Sequence, residues 1–438
     1  KCDWEFSRVL FRSAEDDFQA FIETARAKSS VYAAAAYREP RRLSEIRRRL
    51  LDKETGLIEY IAAGDYLYSF VVTADRVSVH RLTPAESRDT LRLAKNYTQL
   101  VFSKEITYSD AAPAGRRLYK ALLGAVAKEQ LAGLKNLIIV PDRTLNYLPF
   151  ETLVPGEDGK AGPAGVHFLL EDYRISYAPS ASTLASILDR GERPEAGMDL
   201  LSVGDPIMNG FDETSGVEKS GEDVLLQYYR GRRFIFQPLE FASREMGSIS
   251  RLIARNFRTI VSRGEATEER VKALDLAGYK IIHFATHSLL DENAASRSAL
   301  VLTRDSRSVE DGFLQAGEIY NLKLDADLVV LSACQTAMGK MGKGEGIQGL
   351  ARAFFCAGSK SVVASLWNIN DRSTAHFMKL FYAGLTDGKV VQEALRQAKL
   401  KMCRSGDYQP YHWAAFVLIG EGNFGIPLHP ASLWSRIL

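Results

Sequence analysis

Two residues of this chain have the types and the spacing to do covalent chemistry. Cys334 closes the apolar run LVVLSAC (328–334) and is followed at once by the polar stretch QTAMGKMGKGEG. His287 closes a matching run, YKIIHFATH (279–287), followed by SLLDEN, 47 residues upstream of the cysteine. A free thiol is mostly protonated at neutral pH and only its thiolate attacks well, so a nucleophilic cysteine needs a base beside it. In an open α/β sheet the ligand crevice lies just past the carboxyl ends of the strands. Two parallel strands ending in a thiol and an imidazole therefore predict acyl transfer. Cys334 attacks a carbonyl, and His287 takes the proton and returns it to the leaving group.

The other thiols and imidazoles read more plainly. A lone cysteine in an apolar run is usually a small core residue. Cys356, inside LARAFFCAG, is expected to be buried and inert, and Cys403, ending a basic helix, to be exposed but not activated. Strand alternation sets His283 between Ile282 and Phe284, the place of a satisfied core histidine, whereas His287 falls beyond the strand end. His376 and His412 show no metal-ligand spacing. MGKMGKGEG lacks the GxxxxGK[ST] pattern of a phosphate cradle. No metal and no cofactor is expected.

The elements that must position this pair are legible as an alternation. From residue 198 the pattern predicts strand 199–204, a polar loop 207–232, helix 240–256, strand 257–261, helix 265–274 entered at Thr267 or Glu265, and strand 279–286. A polar loop 288–298, a hairpin 299–303, helix 315–320 and strand 327–333 follow. Helix 346–357, strand 359–366, helices 372–385 and 389–403 and a last strand 413–419 close the pattern. Strands alternating with helices imply a parallel sheet covered on both faces. Upstream, 57–82 reads as three short strands split by turns. A helical region, 87–132, is expected to break at DAAPAGR, and YRISYAPSASTLASILDRG reads as a strand and a helix capped near Ser180 or Ser182. Residues 1–52 read as helical, and GEDGKAGPAG (156–165) is a loop.

Bulk properties narrow the function. The chain has 438 residues, 46% hydrophobic and 25% charged, as in ordinary globular proteins. With 56 basic and 54 acidic residues, net charge +2, bulk electrostatics give no case for a nucleic-acid or membrane partner. Four cysteines without regular spacing suggest no disulfide framework and fit a reducing compartment. No apolar run of membrane-spanning length and no secretory signal is visible. A first residue of Lys1 rather than Met suggests a piece of something longer.

HFATHS and LSACQTA resemble the two signature strands of the CHAT domain, a caspase-like peptidase module related to separase (clan CD). LIIVPDRTLNYLPFETL (137–153), EDYRISYAPSAST (171–183), LLSVGDP (200–206), ASLWNIND (364–371) and YHWAAFVLIG (411–420) extend the likeness in order, over roughly 55–425. The resemblance implies a caspase-like three-layer α/β/α sandwich with a mostly parallel sheet. Its catalytic half would span 198–428, with a degenerate half at 56–197, a helical segment at 1–55 that could end a TPR-type array, and a tail at 429–438. It also implies a cytoplasmic cysteine endopeptidase working through the Cys334–His287 dyad. The backbone N–H groups of Ser288 and Cys334 would hold the oxyanion, although Ser288 and Thr336 stand where caspases carry glycine. A protein substrate and a regulating partner or effector, in defence or cell-death pathways, would complete the picture. Asp205 and Asp371, past two strand ends, are candidates for a pocket favouring a basic substrate residue, and each is equally read as a turn or cap aspartate. Trp367 lines a neighbouring subsite or the core, and Gly344, Glu345 and Gly346 match a family loop. The rival readings are a catalytically silent scaffold that binds partners and another thiol hydrolase using the same dyad.

Overall fold

The structure, a computed structural model, describes residues 40–156, 165–191, 196–208, 238–291, 295–305, 307–335, 347–369 and 371–432. The expectations for the helical segment up to residue 39, for the loops at 157–164 and 209–237, for the stretch 336–346 and for the tail beyond 432 lie outside the described residues. The elements below belong to the compact unit Leu43–Leu438.

The strands between 198 and 420 form a doubly wound sheet. Its strands are β6 (Met198–Pro206), β7 (Arg258–Arg263), β8 (Tyr279–Ala285), β12 (Leu328–Leu331) and β14 (Ser361–Ser365), with β15 (Phe416–Gly420) antiparallel at its end. Their order is β7-β6-β8-β12-β14-β15, so the connections reverse between β6 and β8, the usual place of a ligand crevice in such sheets. Apolar side chains on both faces explain the uninterrupted burial of β8, β12 and β14. Helices Ala242–Ser250 and Asp371–Thr386 supply Glu245 and Tyr382 to one face, both beside His283. Helix Ile347–Ala357 meets the other face, where Phe354 packs 5.9 Å from Phe284.

Through the pair Ile419 and Tyr177 the sheet continues into β5 (Arg174–Tyr177), β4 (Asn136–Val140), β1 (Thr55–Ala63), β2 (Tyr66–Val72) and β3 (Val77–Arg81), eleven strands in all. Alternation divides the faces here. Leu57 and Ile138 pack with Leu184 of helix Ala181–Leu188 and Leu50 of helix Leu43–Leu50. Ile58 and Ile139 join the main core with Tyr97 of helix Pro84–Val101 and Leu118 of helix Tyr108–Leu122. The result is a three-layer α/β/α fold around a large, mostly parallel sheet.

Local signals explain most element starts. Ser180 and Thr267 cap their helices by accepting from Thr183 N at 3.0 Å and Arg270 N at 3.1 Å. One expectation fails: DAAPAGR does not break a helix but lies inside Tyr108–Leu122, and the break falls at 102–107. The helix survives Pro113 because Ala111, Ala112, Leu118 and Leu122 are buried along it. Gly115 lets the facing helix come close: a Cβ there would sit 3.0 Å from the Tyr97 hydroxyl.

Candidate active site

Past their ends, β8 and β12 do not turn away from each other. They continue into a second sheet of four short strands, ordered β11 (Phe313–Gln315), β10 (Ala299–Val301), β9 (His287–Leu289) and β13 (Cys334–Gln335). In the large sheet Ile281 pairs with Leu328 and Phe284 with Leu331. In the small one His287 pairs with Cys334 and Ser288 with Gln335, again in parallel. The register offset is 47 residues in both sheets, which is the spacing of the two residues in the sequence. His287 and Cys334 are therefore direct neighbours on adjacent strands, whose backbones run about 4.8 Å apart. His287 is 6% exposed and Ser288 1%.

This placement differs from the expected polar loop 288–298. Residues 287–289 are strand, and Leu289, Leu290 and Asp291 are buried. Ser288 has register partners on both sides, Leu300 and Gln335. Thr286, overlooked in the HFATHS motif, is fully buried, and its hydroxyl donates to the carbonyl of Val301. The strand carrying His287 is thus fastened to the hairpin β10–β11.

His283 sits in the core, as its flanks foretold. It is 0% exposed, its Nδ1 lies 3.0 Å from the Tyr382 hydroxyl, and its Nε2 lies 3.0 Å from Glu245 Oε1. Glu245 and Tyr382 were not legible as its partners, because they come from helices 38 residues before it and 99 after it.

Asp205 takes the left-handed region, φ 50°, at a register shift between Gly204 and Pro206. Gly204 is needed there: a Cβ would lie 2.4 Å from the Ala285 carbonyl oxygen. Asp205 Oδ2 is 3.7 Å from Arg263 Nη1, and Arg263 closes the neighbouring strand at φ 55°. Two adjacent strand ends in this region cost about 1–3 kcal/mol each and persist only where the surroundings hold them. Thr303 does so, donating to the Arg263 carbonyl at 2.6 Å and accepting from Ile207 N at 2.9 Å. The Asp205 carboxylate thus already has a cationic neighbour, which weakens its expected role toward a basic substrate residue. Asp371 is the first residue of helix Asp371–Thr386, so it starts that helix. Trp367 does not line an open subsite: it is 4% exposed, its indole donates to the Tyr411 carbonyl at 2.9 Å, and its ring lies 4.4 Å from Phe102.

The two other described thiols exchange their expected settings. Cys356 is half-buried rather than buried. Cys403 is fully buried rather than exposed, because its helix packs against the core, and burial pushes its thiol up to about 12. Among the described residues, one trio of carboxylates has the spacing of a metal site: Glu268, Glu310 and Glu318, with oxygens within 4.8 Å of one another. Lys272 Nζ lies 2.7, 2.7 and 2.8 Å from them, where a cation would sit. Away from the dyad, a cavity of about 290 Å3 is lined by Arg49, Thr55, Asn136, Ser176, Gln392 and Glu421. No helix among the described residues is long and apolar enough to cross a membrane.

Comparison with known proteins places this geometry. A family model described as CHAT domain matches residues 112–421, more than half of the chain. Tetratricopeptide repeat protein 28 of Mus musculus is 29% identical over 221 residues, and that of Homo sapiens 28%. The match covers 43% of this chain and 9% of either relative. Among solved structures, the Saccharomyces cerevisiae separase–securin complex is similar over 90% of this chain and 31% of that one, at 12% identity and a TM-score of 0.49. The RgpB pro- and mature domains of Porphyromonas gingivalis are similar over 79% and 78%, at 9% identity and a TM-score of 0.38. The chain belongs to the CHAT domain family, and its fold is a mixed α/β one around a large, mostly parallel sheet.

Proposed function

We propose that this CHAT domain is a cysteine endopeptidase. The observation that carries the reading is the pairing of His287 with Cys334 at the joint carboxyl ends of β8 and β12. In this mechanism His287 removes the thiol proton, Cys334 attacks the scissile carbonyl, and the backbone N–H groups of Cys334 and Ser288 stabilise the oxyanion. His287 then protonates the leaving amine, and a water deacylates the enzyme by the same route. The substrate is a protein, and a partner or effector controls access. The burial of His287 and Ser288 supports such control, since a substrate carbonyl must displace what covers them. A reducing, cytoplasmic setting suits the thiol.

The same burial favours a second reading, a scaffold that keeps the fold and binds partners without turnover. Incubating the chain with a proteome-derived peptide library, with and without candidate activating extracts, separates the two. Cleavages made by the wild type and lost in Cys334→Ala support the peptidase. Identical peptide maps for the two proteins in every extract support the scaffold.

A further inference from the structure

The small sheet has two ends. Its inner end holds the dyad strands β9 and β13, and its outer end is the hairpin β10–β11. That hairpin is locked from outside by one cation. Lys272, on helix Glu268–Ala273, touches Glu268 of its own helix, Glu310 of the hairpin connection and Glu318 of the helix that follows β11. Three elements thus meet on a single ammonium. The contacts are joined to the backbone at each side. Glu268 Oε2 accepts from Gly312 N at 3.0 Å, and Glu318 Oε2 accepts from Gln315 N at 2.9 Å. Leu302 N donates to the Gly312 carbonyl at 2.8 Å, and Thr303 N to that of Ala266 at 2.8 Å. From there the connection to the dyad is short: β10 pairs with β9 through Val301 and His287, and Thr286 bonds the same Val301.

Removing the ammonium would leave the Glu310 and Glu318 carboxylates facing each other around Glu268, which is only 1% exposed, and like charges at this range repel. Glu310 on the hairpin connection and Glu318 just behind β11 are the more exposed partners, 27% and 33%, so relief of that repulsion would pull on the hairpin. On its other side the described residues of β9 pair with Cys334 and Gln335. We infer that Lys272 is a positioning residue: by clamping the hairpin β10–β11 it holds β9, and with it His287, in register with Cys334. The inference rests on the peptidase reading and adds to it a residue outside the crevice.

The test is the pH dependence of Cys334 alkylation by iodoacetamide, followed by mass mapping on the full chain. Wild type, His287→Ala, Lys272→Met and Lys272→Arg are compared, with thermal melts alongside. A thiol next to a working imidazole is alkylated at lower pH than a free one. His287→Ala should move the profile up to that of an ordinary cysteine. Lys272→Met should move it in the same direction, slowing alkylation at neutral pH by about threefold or more, and Lys272→Arg should stay within about twofold of wild type because charge is kept. Should Lys272→Met fail to fold, Glu310→Gln removes the hairpin arm alone and should shift the profile the same way. A lowered melting temperature with an unmoved alkylation profile would overturn the clamp and leave Lys272 a stabilising residue. If His287→Ala itself leaves the profile unmoved, the dyad reading falls and this inference with it; a shift in His287→Ala without one in Lys272→Met or Glu310→Gln sinks the clamp alone.

Discussion

In the first half of the long sheet, β1, β4 and β5 run parallel between helices on both faces, and so do β6, β8, β12 and β14 in the second. The polar groups of the two halves serve different ends. In the first, Glu151 ion-pairs with Lys399 and accepts from the Tyr177 hydroxyl at 2.6 Å, with Lys399 and Glu151 both 2% exposed or less. Nearby, Gln392 donates to the Arg174 carbonyl at 3.1 Å. Both contacts come from helix Val391–Ser405, so they pin the C-terminal part of the chain to β5 and its surroundings. In the second half the chain past β8 and β12 forms another sheet, and there His287 and Cys334 pair on adjacent strands. Layering alone makes a core. On the peptidase reading proposed above, chemistry enters where two strand ends are held in step beyond the sheet that aligned them.

Four outcomes sharpen or break this contrast. The largest effect belongs to the dyad: Cys334→Ala and His287→Ala should each lower peptide turnover by at least about 10³-fold while melting as the wild type does, as for other nucleophile–base pairs. Full turnover in either variant would remove the chemistry from the second half. Next is the pin of the first half. Lys399→Met strands the Glu151 carboxylate in the core and should cost about 3–5 kcal/mol in urea unfolding, whereas Lys399→Met with Glu151→Leu should recover most of it. A single variant as stable as wild type would show that the pair does not hold the halves together.

The two histidines give a third test. His283→Ala leaves a cavity and strips partners from Glu245 and Tyr382, so it should cost about 2–4 kcal/mol yet keep activity in the folded fraction. A stable but dead His283→Ala would exchange the roles assigned to the two residues. The smallest effect concerns pH. Burial pushes the Glu268 carboxyl up to about 8 from an ordinary 4.5, against the pull of Lys272. Between those values the folded chain retains a proton that the unfolded chain has released, so stability falls as pH rises through this window. Glu268→Gln should flatten that slope in melts taken from pH 4.5 to 8, and an unchanged slope would place the titration elsewhere.

Much of this was legible because long strands and caps leave local signals. YKIIHFA and LVVL are buried throughout because both faces are covered, and Ser180 and Thr267 mark helix starts that the structure keeps. The small sheet was not legible as such. Among the described residues its strands HSL, ALV, FLQ and CQ run to three residues at most, too brief for a period of two to show. The partners of His283, and the Glu310 and Glu318 partners of Lys272, were hidden because they lie 38 to 99 residues away in sequence. Pro113 misled because a buried stripe overrode its breaking tendency. Cys403 misled because the basic residues of its helix said nothing of the face that packs inward.

The central claim, that Cys334 and His287 act as one unit, is tested most directly by reaction with a peptidyl electrophile under activating conditions, followed by mass mapping. The account predicts one adduct per chain, on Cys334, and its loss in His287→Ala at an unchanged melting temperature. Adducts on Cys356 or Cys403 in place of Cys334, or labelling of His287→Ala as fast as the wild type, would contradict it.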